Sequence, residues 1–477
     1  MNYARLLGVL AITVIPPAQL LAASDAEVAE LKHMLQELRQ DYESRIAILE
    51  NKIDAAEAKA NSAEEKAQSL QDKEIADNES RVAADDNRFN PALSIVLQGT
   101  AANYSQDPDD WYLPGFQTGG EAGLLNEGLS LRESELVASA SVDSLFYAQF
   151  TLGLHDEDGD THVDVEEAFI DTLSLPAGLG MRFGRFYTET GYINTRHSHA
   201  WDFVDAPLVS QAFLGKQYKD DGVRLSWLAP TPLYLDFGLE ALRGEKFPAS
   251  GDGSKFLGDA QNYYVRLGGD AGLSNSYQLG LSHLRTSPED RTGGHAHGHE
   301  DEHGEQSEHG SSFTGDSNLT IFDAVWKWAP HGNMQDRNLV LQGEYFYRDE
   351  SGDVLLQEGI DYALFDYSGS QRGYYLQGIY QFMPRWRIGL RYDRLNPDNR
   401  LRLVANTTDE EGDELAEETG FLTDHNPHRL SAMLDWTPSE FSRLRLQYSR
   451  DESQPQVDDQ FFLQYIMTIG AHGAHRY

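Results

Sequence analysis

The chain has 477 residues, of which 77 are acidic, 38 are basic and none is cysteine, and its formal net charge is -39. This acidity argues against a nucleic-acid partner, because binding phosphates requires a basic surface, and the lack of cysteine excludes disulfides, cysteine-ligated zinc and thiol catalysis. The 42 glycines and 23 tyrosines, with only 40% hydrophobic residues, favour a β-barrel whose strands are apolar on one face.

Residues 1–23 have the pattern of a secretory signal peptide. Arg5 precedes an apolar stretch at residues 6–15, and small residues suitable for cleavage follow at positions 22–23. Such a segment is too short to serve as a membrane anchor. We therefore expect it to direct the mature chain out of the cytoplasm.

Residues 24–89 are predicted to form a periplasmic α-helical coiled coil followed by a linker. Apolar residues recur there in alternating steps of three and four, with one change of phase, and no glycine or proline interrupts them. The apolar stripe is too narrow for a globular core, so a helix near residues 26–78 is expected to pair with copies of itself. A solitary, solvated helix is the alternative.

From residue 90 onwards the apolar residues recur every second position, as in strands with one apolar face. We predict about sixteen strands, with roughly 14 to 18 acceptable given how far boundaries slip. Long connections mostly follow odd strands and short ones even strands, which is typical of outer-membrane barrels. The predicted fold of residues 90–477 is therefore an all-β, transmembrane antiparallel β-barrel. Its candidate strands are 91–104, 128–140, 145–154, 162–172, 179–187, 222–228, 233–243, 262–270, 275–285, 319–328, 338–348, 372–382, 386–395, 428–436, 441–450 and 459–470.

Several segments of the barrel region resemble the phosphate-selective porin group, whose members are trimeric sixteen-stranded channels, some with an N-terminal coiled coil. The resembling segments are residues 130–136, 146–150, 165–171 and 184–187. Residues 90–94, 197–205 and 470–475 further resemble relatives with His-rich loops that are labelled zinc-regulated outer-membrane receptors. The resemblance implies a homotrimer in the Gram-negative outer membrane, with the coiled coil in the periplasm. Phosphate selectivity does not transfer, because the chain is strongly acidic.

The connection over residues 286–318 is the predicted metal-gathering loop. Five of the chain's 16 histidines fall there within 15 residues, separated by glycine and carboxylates: His295, His297, His299, His303 and His309. Neutral imidazole is a common ligand of zinc, copper and nickel, and the choice of zinc follows from the resemblance. A merely solvated polar loop is the alternative.

A second cluster of candidate metal ligands lies in the third long connection, residues 188–221. It offers His197, His199, Asp202 and Asp205 beside Trp201. A His-x-His pair in an extended segment would point both rings to one side, and in porins the third long loop commonly folds into the barrel. The cluster is predicted either to bind metal at the constriction or to hold the loop to the wall through hydrogen bonds.

The predicted function is an outer-membrane, porin-like channel that gathers and passes divalent metal ions, zinc by resemblance. The expected partners are outer-membrane lipid, copies of the chain and divalent metal ions. No required cofactor and no enzymatic activity are expected, since the chain has no Gly-x-Ser-x-Gly and no phosphate-binding loop. Two alternatives stay open: a general or anion-selective porin with incidental histidines, and a surface metal-binding receptor.

Overall fold

The computed structural model describes most of the region after residue 90. The described residues are 91–157, 160–249, 257–293, 309–358, 361–406 and 421–470, with 299–300, 306–307 and the single residues 40 and 416. The predicted signal peptide (1–23) and, apart from Gln40, the predicted coiled coil and linker (24–89) lie outside them and stay predictions.

Sixteen antiparallel strands form one closed sheet in which each strand pairs with its neighbours in the chain. The last strand pairs with the first, from Ser94 opposite Gly470 to Asn103 opposite Phe461, so the sixteen strands close without a free edge. The predicted antiparallel β-barrel is confirmed. The strands are β1 (Ala92–Asn103), β2 (Gly128–Ser141), β3 (Phe146–Glu157), β4 (Asp160–Thr172), β5 (Leu179–Tyr187), β6 (Lys219–Leu228), β7 (Tyr234–Leu242), β8 (Ala260–Asp270), β9 (Asn275–Thr286), β10 (His309–Trp328), β11 (Asn338–Glu358), β12 (Asp361–Met383), β13 (Trp386–Asn396), β14 (His428–Ser439), β15 (Ser442–Glu452) and β16 (Asp458–Gly470).

Short elements lie in the connections. Arg291–Gly293 pairs with β10, Asn399–Asn406 pairs with β12, and His299–Glu300 pairs with Gln306–Ser307. An α-helix, α1, spans Leu208–Leu214, and 3-10 helices span Pro108–Asp110, Pro176–Gly178, Ile193–Thr195, Ser198–Ala200 and Pro330–Gly332. Among the residues that the structure describes, no helix is both long enough and apolar enough to cross a membrane.

The barrel wall has an apolar outer face and a polar inner face. On β15 the inward-facing Arg445, Gln447 and Ser449 are buried, whereas the outward-facing Leu444 and Leu446 are 37% and 55% exposed. Buried arginine beside exposed leucine is the reverse of the distribution in a soluble protein. The wall is therefore built for an apolar surrounding and a polar interior.

Two predicted connections are shorter than expected because their strands continue. The strands β10, β11 and β12 contain 20, 21 and 23 residues, so most of residues 309–318 and 349–371 is strand. Their inward-facing Phe313, Val354 and Phe365 pack into one buried cluster. Glycine and acidic residues interrupt the alternation in these segments, which is why the sequence pattern indicated loops.

The loop between β5 and β6, residues 188–218, enters the barrel; we call it L3. Its backbone N–H groups donate to side chains of distant strands. Ile193 donates to Glu344 on β11 at 2.9 Å, and Leu208 donates to Asp393 on β13 at 3.0 Å. All residues of α1 are buried. L3 therefore crosses the lumen and contacts several parts of the wall.

Candidate functional site

The middle of L3 is held to the wall by a buried ionic cluster. The Oδ2 atom of Asp205 lies 2.7 Å from a nitrogen of Arg391 on β13 and 2.7 Å from one of Arg429 on β14. Its Oδ1 atom accepts from Gln447 on β15 at 2.5 Å. Burial alone would raise the pKa of Asp205, but Arg391 and then Arg429 hold this pKa below its ordinary value. The carboxylate therefore stays charged and fixes this part of L3.

Asp202, one of the predicted metal ligands, takes part in a different contact. Its Oδ1 atom accepts from Arg387 on β13 at 2.8 Å, and its Oδ2 atom accepts from Gln377 on β12 at 3.4 Å. The structure thus brings together His197 and His199 of the predicted set. It places Asp202 against β12 and β13, and it places Asp205 against arginines of β13 and β14.

His197 and His199 meet a carboxylate of the wall, Glu135 on β2. Nδ1 of His199 lies 2.8 Å from Oε1 of Glu135, and Nδ1 of His197 lies 3.1 Å from its Oε2. On the other side of its ring, Nε2 of His197 lies 3.1 Å from Oε2 of Glu167 on β4. One ligand atom from each of Glu135, His197 and His199 lies within 4.8 Å of the others. A single metal ion could contact all three.

The backbone around these histidines is not the extended segment that the sequence predicted. His199 lies within the 3-10 helix Ser198–Ala200, and His197 immediately precedes it. The two rings nevertheless face the same carboxylate and stack with their centroids 5.6 Å apart. The tight turn, rather than strand alternation, brings them to one side.

The two carboxylates determine the charge of His197. Burial alone would lower the pKa of His197, but Glu135 and then Glu167 raise it well above 6.5. His197 is therefore a cation at neutral pH unless a metal ion replaces its proton. The arrangement can hold L3 to β2 and β4, and it can also supply imidazole and carboxylate ligands to a divalent ion.

A β-bulge in β4 places two adjacent glutamates inside the barrel. The register between β3 and β4 shifts at Glu166, which has no partner in the ladder, so both Glu166 and Glu167 are buried. Gly153 on β3 gives them room, since a Cβ atom there would lie 2.9 Å from Cγ of Glu166. Glu166 accepts from Lys219 at 2.6 Å.

Carboxylates outnumber cationic side chains in this part of the lumen. Lys216 lies 2.8 Å from Glu121 and 3.4 Å from Glu133, and buried Arg132 lies beside Glu133 in the chain. Together with Lys219 and the protonated His197, these four cations face five carboxylates. One negative charge is left in excess, and a second is added when a metal ion replaces the proton of His197, so the cluster attracts cations. The carboxylates are those of Glu121, Glu133, Glu135, Glu166 and Glu167.

A cavity of about 890 Å³ adjoins this cluster between L3 and the wall, and Glu167 is one of its lining residues. Its charges are balanced, with five cationic and five carboxylate side chains. These are Arg182, Arg196, Arg224, Arg266 and Lys327, and Glu167, Asp171, Glu189, Asp236 and Asp270. The cavity by itself favours neither cations nor anions, so selectivity for cations would have to come from the glutamate and histidine cluster.

The predicted metal-gathering loop is largely outside the described residues. His295, His297 and His303 lie there, and for His299 and His309 only the backbone is described, as strand. Residues 299–303 also have the spacing His-Glu-x-x-His, which forms a metalloprotease zinc site when it lies on a helix. Here His299 and Glu300 form a strand, so the helical requirement is not met at these two positions.

Three solved structures of similar fold are an outer-membrane protein, an outer-membrane channel and a porin. A loop L8 deletion mutant of OmpT from Vibrio cholerae has 10% identity, covers 80% of this chain and 100% of its own, and has a TM-score of 0.45. The outer-membrane channel DcaP of Acinetobacter baumannii has 11% identity, 80% and 97% coverage and a TM-score of 0.46. The anion-selective porin from Comamonas acidovorans has 12% identity, 80% and 99% coverage and a TM-score of 0.44.

No family model matches the chain. An uncharacterized protein of Aquifex aeolicus (strain VF5) is 32% identical to it over 376 residues, which cover 75% of this chain and 72% of that protein. With this identity over most of both sequences, the chain belongs to the same family as that Aquifex aeolicus protein.

Proposed function

We propose that the protein is an outer-membrane, porin-like channel that passes divalent metal ions, zinc above all, and that it has no enzymatic activity. The closed barrel with an apolar outer face supports placement in the Gram-negative outer membrane. L3 lies in the lumen, as a constriction loop would.

The observation that carries the choice of a metal ion is the convergence of Glu135, His197 and His199 within 4.8 Å. Two imidazoles and a carboxylate are a ligand set that suits zinc. The cluster lies where L3 meets β2, inside the barrel, and the surrounding excess of carboxylates attracts cations. Binding of this kind is useful in a channel when it is weak enough for the ion to leave.

Two further parts of the proposal rest on the sequence. The five histidines of the loop 286–318 would gather metal at the outer mouth, because exposed imidazoles interleaved with carboxylates form weak, exchangeable sites. The resemblance to phosphate-selective porins and zinc-regulated receptors supports a homotrimer with a periplasmic coiled coil at residues 26–78. A stable monomer in a native mass measurement of the mature protein would contradict the homotrimer.

Zinc conductance of the purified protein in planar lipid bilayers tests the proposal. We expect the double variant His197→Gln/His199→Gln to conduct less zinc even when zinc is abundant, with potassium conductance retained. A matched control is His283→Gln on β9, because His283 contacts Thr320 at 2.9 Å on the wall and is distant in sequence from L3. The control should conduct zinc as the parent protein does.

The loop histidines are tested separately, by replacing all five with serine. We expect lower zinc uptake when zinc is scarce and unchanged uptake when it is abundant, because the loop only raises the local zinc concentration. If both sets of variants supported growth in chelator-limited medium as well as the parent does, the metal proposal would be wrong. The balanced charges of the cavity would then favour a general porin.

A further inference from the structure

We infer a second metal site in the lumen, formed by His155 on β3 and His162 on β4. The two residues are direct partners in the antiparallel ladder. Their rings stack with centroids 5.8 Å apart and an interplanar angle of 24°. Asp164, two residues further along β4, lies with Oδ2 3.9 Å from Nε2 of His155. His155 thus lies beside a second imidazole and near a carboxylate, outside L3.

The strand alternation places these side chains on the inner face of the barrel. A Cβ atom added to Gly153 would meet the buried side chain of Glu166, so position 153 faces the inside of the barrel. His155 is two residues further along β3 and therefore faces the same side. His162 and Asp164 are the ladder partners of His155 and Gly153, so they share that face. The site is accessible, since the side chain of Asp164 is 62% exposed and that of His155 is 29% exposed.

The register also relates this site to the cluster on L3. Gly153 is the partner of Glu135 on one side and of Asp164 on the other, so these three residues form one row across β2, β3 and β4. His155 and His162 form the next inward-facing row, about 7 Å along the strands at 3.3–3.4 Å per residue. This row is closer to the β3–β4 connection, on the side where the long connections lie.

The geometry suits a weak site for a borderline metal ion. Partners in an antiparallel pair have Cβ atoms about 4.5–5.5 Å apart, and small rotations of the two rings can direct one nitrogen from each toward an ion at zinc–nitrogen distances of about 2.0–2.1 Å. Asp164 supplies a third ligand, and water completes the shell because the site is exposed. The role of this site in transport rests on the proposed function. In that role, an ion would move along one wall from the two histidines past Asp164 to Glu135.

Equilibrium dialysis of zinc against the full chain, with the five loop histidines replaced by serine, tests this inference. The double variant His155→Ala/His162→Ala is expected to bind one zinc ion fewer than this parent. The matched control His283→Ala removes a wall histidine of β9 and should bind the same number as the parent. If the double variant does not fold, the single variant His162→Ala is expected to bind this ion at least about ten-fold more weakly. Unchanged zinc binding in whichever of these variants folds would overturn the inference.

The number of zinc ions bound by each double variant distinguishes an error in the proposed function from an error in this inference. If His197→Ala/His199→Ala loses one zinc ion and His155→Ala/His162→Ala loses none, the proposed function stands and the second site is wrong. If only the His155 and His162 variant loses an ion, the second site is correct as a binding site and the proposed metal site on L3 is wrong. Both variants are expected to lose one ion each.

Discussion

The ionic cluster at Asp205 gives the sharpest prediction about how L3 is held. The variant Asp205→Asn removes one negative charge while keeping the shape of the side chain. Removing one partner of a buried ion pair costs about 3–5 kcal/mol. Arg391 retains Asp393 at 2.9 Å and Arg429 retains Asp451 at 3.7 Å. We therefore expect the lower end, about 3 kcal/mol of unfolding free energy.

Urea unfolding in detergent micelles measures this loss, and single-channel recording reports whether L3 is released. We expect the variant to unfold at lower urea and to show a larger and noisier open-channel conductance. The matched control is Asp366→Asn, because Asp366 pairs with Arg402 at an exposed position where both side chains are about half or more exposed. An exposed pair contributes at most about 1 kcal/mol.

The pH dependence follows from the direction of the Asp205 pKa. Because Arg391 and Arg429 lower this pKa in the folded state, the carboxylate stabilises the fold fully above its unfolded pKa of about 3.9 and loses this contribution as pH falls through the folded value. The difference between parent and variant should stay constant from pH 8 to pH 5 and shrink below about pH 4. Equal stability at pH 7, or a difference already lost at pH 6, would refute the reasoning.

Four further variants test the site and the packing of L3. Glu135→Gln should abolish zinc binding at the L3 cluster, because Glu135 contacts both histidines. Glu167 contacts His197, so Glu167→Gln should loosen L3 and keep the zinc affinity within about ten-fold of that of the parent. Zinc titration of the two variants separates metal binding from the fixation of L3. Phe213→Ala should lower the unfolding free energy by about 3–5 kcal/mol in urea, since the ring in α1 is fully buried. Gly191→Ala should release the start of L3 and raise the conductance, since Gly191 has a φ of +84° and an added Cβ would lie 2.4 Å from Oε2 of Glu344.

The barrel could be predicted from the sequence because apolar and polar residues alternate along each strand, and this alternation identifies its outer and inner faces. Every predicted strand overlaps an observed one, and the closing pair β1–β16 follows from an even number of antiparallel strands. The ends of β10, β11 and β12 were missed. The apolar inward-facing residues of these ends pack against residues of the neighbouring strands. The sequence of a single strand does not reveal that contact.

The site was predicted in part. His197 and His199 could be recognised as ligand types in the third long loop, but their partner Glu135 lies 62 residues before His197 and meets it only through the fold of L3. A signal for Glu135 was present, since residues 132–135 are four consecutive polar residues inside a strand that otherwise alternates. A similar signal, two adjacent glutamates at 166–167, marked the bulge in β4.

The contacts that fix L3 and the contacts that would bind metal use the same atoms. Both ring nitrogens of His197 contact carboxylates, and Nδ1 of His199 contacts Glu135, so an ion at this cluster must replace at least one of these contacts and the proton of His197. The Asp205 cluster and α1 hold the rest of L3 through separate wall residues on β13 and β14. L3 can therefore give way near residues 197–199 without leaving the lumen. The protein's own hydrogen bonds would then compete with the ion and keep binding weak enough for release, which is what transport through a channel requires.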